Sequence, residues 1–102
     1  MKKLIKKVLN SFDFEKVHKT MTFLNWTWYF QEVPNLLKLK STAQELLEEA
    51  CGRCLESKKT SRDIPYIIMT GGFRVEAYPN KKKTKIKKLK LDFLLTTSFD
   101  YR

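Results

Sequence analysis

The sequence predicts an α+β domain, two helices packed on a small antiparallel sheet as a two-layer sandwich. Three observations lead there. Apolar residues recur at helical spacing over residues 13–24 and again over 35–58, and they alternate at strand spacing after Pro65. At 102 residues and 12.1 kDa the chain supports one domain, 1–102, with a single modest core. Hydrophobic residues make up 42% of it, with seven Phe, four Tyr and two Trp, which separates it from disordered chains.

The first element is a basic extension, residues 1–11. In "MKKLIKKVLN", Lys2, Lys3, Lys6 and Lys7 alternate with Leu4, Ile5, Val8 and Leu9, the pattern of a short amphipathic helix that lies either on a membrane surface or on the rest of the domain, docking on its own core being the expectation. It has the basic start of a signal peptide without the apolar stretch or the small-residue cleavage site. With no run of about 18 apolar residues to span a membrane, the chain reads as cytoplasmic. Asn10 and Ser11 break the segment from the next helix.

Asp13 is placed to cap a helix over residues 13–24, with Phe12 packing on Val17 as a hydrophobic staple and Phe14, Val17, Met21 and Leu24 as the apolar stripe. From Asn25 the period changes. In "NWTWYF", Trp26, Trp28 and Phe30 alternate with Thr27 and Tyr29, which suits a short strand or an extended arm. That many aromatics serve either the chain's own core or a surface shared with a partner or second subunit.

Pro34 fits the first turn of the long helix, 35–58. Leu36, Leu39, Ala43, Leu46, Leu47, Ala50 and Cys54 form its apolar stripe, with Leu55 a candidate at its end, and Glu45, Glu48, Glu49, Arg53 and Lys58 face outward. Beyond Pro65, "YIIMTGGFRVEAY" reads as one strand, with Ile67, Met69, Phe73, Val75 and Ala77 on one parity. "LKLDFLL" sets Leu89, Leu91, Phe93 and Leu95 on one face of a second strand. A turn near Pro79 and Asn80 joins the two as a hairpin. Its outer face carries Arg74, Glu76, Tyr78, Lys88, Lys90 and Asp92.

The net charge of +10 is concentrated in two places. Residues 1–10 hold four lysines and residues 81–90 hold seven, with no acid in either. The remainder is nearly neutral. A local positive field on a balanced scaffold points to an anionic partner, although a solvated hairpin tip would also carry such charge. Lys81, Lys82, Lys83, Lys85 and Lys88, with Lys87 and Lys90, are candidate phosphate contacts, and Trp26, Trp28, Tyr29 and Tyr78 are candidate stacking platforms. Thr70, Gly71, Gly72 and Arg74 offer a hydroxyl, amides and a guanidinium to an anion, or mark a simple bend in the sheet.

No catalytic constellation is present. Cys51 and Cys54 form a lone "CGRC"; a zinc site needs four ligands, and His18 is the one histidine. The pair closes a helix instead of opening one, so both cysteines read as small apolar residues on a buried face. His18 reads as a partly buried hydrogen-bonding residue. No catalytic residue, metal or cofactor is expected.

The segments "FDFEKVHKTMTFLNWTW", "VPNLLKLKSTAQELLEEA", "TGGFRVEAY" and "LKLDFLL" together resemble a group of small bacteriophage proteins to which no chemistry is assigned. The likeness covers most of residues 12–96. It implies a phage origin and a plan of helix, arm, helix and hairpin. By analogy with other small phage proteins, it suggests action against a host defence. The expectation is a non-catalytic protein that binds a nucleotide signal or a nucleic acid through the lysine hairpin. The alternative is an inhibitor of a host defence protein that docks through "NWTWYF"; a homodimer suits either.

Overall fold

Three helices precede three strands: α1 (Lys2–Ser11), α2 (Phe14–Leu24), α3 (Leu36–Glu56), β1 (Tyr66–Thr70), β2 (Phe73–Pro79) and β3 (Ile86–Phe93). They come from a computed structural model that describes residues 2–25 and 32–93. The antiparallel sheet has the order β1-β2-β3, and the helices pack on one of its faces, which makes the domain α+β.

Each long helix starts where a side chain can satisfy free amides. Asp13 caps α2 by accepting from the Lys16 N–H at 3.0 Å, and Asn35 caps α3 by accepting from the Lys38 N–H at 2.8 Å. Pro34 therefore lies just before the cap and is buried, instead of occupying the first helical turn. Asn25 does not begin a strand; in the left-handed region at φ 50°, its N–H closes the last turn of α2. Trp26, Trp28, Tyr29 and Phe30 lie outside the described residues, as does Leu95.

Leu39, Ala43, Leu46, Leu47, Ala50, Cys51 and Cys54 of α3 are buried against the sheet, as is most of the stripe its sequence predicts. Phe73 is fully buried at the centre of the aromatic cluster, its ring 5.2 Å from Phe93, 6.1 Å from Phe12 and 6.5 Å from Phe14. Burial of each such side chain contributes roughly 1.5–3 kcal/mol. The extension docks as expected: Ile5 is buried in the core, with Leu4, Val8 and Leu9 packed against it. Leu24, expected on the apolar stripe of α2, is about half exposed.

The sheet has three strands, not two. Gly71 and Gly72, at φ 61° and 90°, form a two-residue turn in which Thr70 pairs with Phe73. Residues on either side of such a turn share a face, so the parity read through the glycines reverses within β1. Tyr66, Ile68 and Thr70 share the core face with Ala77, Val75 and Phe73, while Ile67 and Met69 point to the open face. Gly72 is also fixed by packing, since a Cβ there would lie 2.6 Å from Cε1 of Phe93.

Candidate anionic-ligand surface

The β2–β3 turn is built by one side chain. Asn80 Oδ1 accepts from the N–H of Thr84 at 2.8 Å and its Nδ2 donates to Thr84 Oγ1 at 2.9 Å, while its backbone N–H donates to the Lys85 carbonyl at 2.9 Å. Lys83 adopts the left-handed conformation at φ 58°. This geometry holds Lys81, Lys82 and Lys85 in solvent and turns Lys83 inward. The Lys83 ammonium donates to the carbonyl oxygen of Ser57 at the C-terminal end of α3, where a positive charge is favoured by the helix dipole.

Past the turn, Pro79 pairs with Ile86 and Tyr78 pairs with Lys88, so Lys87 is an extra residue in β3. This bulge makes Lys87 and Lys88 consecutive exposed residues. On one side they meet α1. Lys7, Lys87 and Lys88 line an open hollow of about 370 Å³ whose walls include Leu4, Val8, Phe12, Leu89 and Leu91. On the other side, Lys87 and Lys88 join Arg62, Asp63 and Tyr78 around a second open hollow of about 390 Å³. The two lysine-rich segments, at opposite ends of the sequence, thus converge on one surface.

Tyr78 belongs to this surface. Its hydroxyl donates to Glu76 Oε1 at 2.9 Å, a bond that raises the phenol above its ordinary pKa. The Lys88 ammonium lies 5.4 Å from the centre of the Tyr78 ring. Glu76 also accepts from Arg74 Nε at 3.1 Å, so the Arg74 guanidinium already faces a carboxylate. Thr70 and Arg74 lie on opposite faces of the sheet, because Thr70 pairs with Phe73 while Arg74 pairs with Met69. Of the residues singled out in the sequence, the fold groups Tyr78 with Lys88 and Lys87. It leaves Lys81, Lys82 and Lys85 on the turn, ties Lys83 to α3, and puts Gly71 and Gly72 at the opposite end of β2.

Two contributors escape the sequence reading. Lys7 is visible there as charge but not as a neighbour of β3, and Arg62 sits in an ordinary polar exit from the long helix. Both depend on tertiary packing.

No protein-family profile, curated protein or solved structure matches this chain. Function therefore rests on the geometry.

The described residues contain no group of three or more His, Cys, Asp or Glu side chains that could hold a metal ion. None of their helices is long and apolar enough to cross a membrane. Burial first, and then the neighbouring Cys54, push the Cys51 thiol from its ordinary 9.0 up to about 11, so it remains a neutral core side chain. Cys54 donates from Sγ to the Ala77 carbonyl at 3.2 Å. His18 is half-buried on α2.

Proposed function

We propose that this protein is a non-catalytic binder of a polyanion, a nucleic-acid strand in preference to a single nucleotide. Its contact surface is formed by α1 and the β2–β3 hairpin. The observation that carries this reading is the meeting of Lys7 with Lys87 and Lys88 around one groove, from segments far apart in the chain. Ammonium groups around an apolar floor suit a phosphate backbone that tracks the rim while bases rest on the floor and on Tyr78. Both hollows that Lys87 and Lys88 share are open, which favours an extended ligand over one enclosed nucleotide. The resemblance to bacteriophage proteins supplies the setting, counter-defence in the cytoplasm of an infected bacterium.

The test is fluorescence anisotropy of a labelled single strand titrated at several salt concentrations. Each lysine–phosphate contact contributes roughly −0.7 to the slope of log K against log salt on a single strand. Replacing Lys7, Lys87 and Lys88 with Gln is expected to flatten that slope by about 2. A slope unaffected by these changes contradicts the reading. Tighter binding of a free nucleotide than of the strand would transfer the proposal to a nucleotide signal.

One observation favours a second reading. Phe23 is 88% exposed and Leu37 76% exposed, one on each side of the aromatic segment. An inhibitor of a host defence protein would use such residues as anchors and the lysines for steering. Under that reading the Gln substitutions slow association with the host protein and leave dissociation unchanged.

A further inference from the structure

The two edges of the sheet are unlike. β3 carries Lys87, Lys88 and Lys90 and a bulge, the devices by which edge strands resist pairing with other chains. β1, "YIIMT", has no charge, no proline and no bulge. Among the described residues it pairs with β2 alone. Thr70 and Phe73 flank a two-residue turn and form a hydrogen-bonded pair, and the antiparallel alternation then bonds Ile68 and Tyr66 to β2. The backbone N–H and C=O groups of Ile67 and Met69 are then directed away from β2, at an edge that no other described residue pairs. The same two residues expose their side chains on the open face, Ile67 at 43% and Met69 at 58%.

We propose that this edge is the contact between two copies of the chain, joined antiparallel through β1 about a twofold axis at Ile68. Ile67 then pairs with the partner's Met69, and Met69 with the partner's Ile67. Because both residues direct their backbone groups outward, the two pairs make four hydrogen bonds. On the open face the four side chains form one apolar patch across the seam. The same edge serves both copies, as a twofold contact requires.

Of the sheet's two edges, charge leaves only β1 open to a second copy. Two chains of net charge +10 repel wherever their lysine-rich surfaces approach. β1 is the strand farthest from β3, and pairing there places both β3 strands at the outer edges of a six-stranded sheet. An acidic peptide would find no opposite charge on "YIIMT" to select it.

Sedimentation of the full chain tests this, with a species of twice 12.1 kDa expected. Met69→Lys, which puts an ammonium at an exposed position, is expected to give a folded monomer with the far-UV spectrum of the wild type and a melting temperature that no longer depends on protein concentration. As a second measurement, Ile68→Cys is expected to cross-link the dimer on mild oxidation, because non-hydrogen-bonded antiparallel pairs bring Cα atoms to about 4.5 Å. The native protein serves as the control, its own cysteines being buried. A wild-type chain that sediments as a monomer at every concentration overturns the proposal. So does a dimer that survives Met69→Lys and fails to cross-link through Ile68→Cys.

Discussion

The ammonium of Lys83 lies 2.6 Å from the carbonyl oxygen of Ser57, joining the tip of the lysine-rich turn to the end of α3. Thr60 Oγ1 donates to the Cys54 carbonyl at 2.8 Å and serves the same helix end. One lysine of the basic run is therefore structural. Lys83→Gln is expected to cost about 1 kcal/mol, since the bond is charge-assisted but only partly buried. Thermal unfolding would show this as a fall of roughly 4–8 °C for a domain of this size. Strand binding should change far less than for Lys87→Gln.

Two glycines should respond to alanine with opposite signs. Gly52 lies within α3, exposed, with open space where a Cβ would be added. Gly52→Ala is therefore expected to stabilise the fold by about 1 kcal/mol, the difference in helix propensity. At Gly72 the new Cβ meets the Phe93 ring, and φ at 90° disfavours any side chain. Gly72→Ala is expected to cost more than about 1 kcal/mol. Urea denaturation of the two variants beside the wild type gives both values, and equal shifts would contradict the close approach to Phe93.

Cys51 predicts a pH effect. Its thiol ionises at about 11 in the fold against an ordinary 9.0. The unfolded chain thus releases this proton first as pH rises, and stability falls. The contribution is fully present below about 9 and is lost between there and about 11. Lysines titrate in the same range, so the measurement is a difference: Cys51→Ala should show a shallower decline than the wild type over that window. Below pH 8, native protein should react with a thiol reagent only as fast as it opens.

The helices are readable in the sequence because their signals are local. Asp13 and the stripe from Leu36 to Cys54 need only neighbouring residues to be interpreted, and both cysteines fall on the buried face that spacing assigns them. β1 illustrates the opposite case. Ile67, Met69, Phe73, Val75 and Ala77 keep one parity in the sequence, yet two glycines with positive φ reverse the chain between them and send Ile67 and Met69 to the open face. Two adjacent glycines between apolar runs are a hairpin signal, so that turn was available to local reasoning. The bulge at Lys87 and the approach of Lys7 to β3 were not. They are set by how β3 registers against β2 and by where Ile5 docks.

That docking separates position from total charge. Ile5 is 6% exposed and belongs to the core cluster, while Lys2, Lys3, Lys6 and Lys7 on the same helix are exposed. Ile5→Ala leaves the net charge at +10 but removes apolar contact worth about 2 kcal/mol, a factor of roughly 30 in the docking equilibrium of α1. Hydrogen exchange should show α1 amides losing protection while β2 keeps its own. If the groove between α1 and β3 holds the strand, affinity should drop with the docking, because Lys7 no longer sits beside Lys87 and Lys88. Undiminished binding by a chain with α1 released would mean that the lysines act as dispersed charge, and the groove would lose its role.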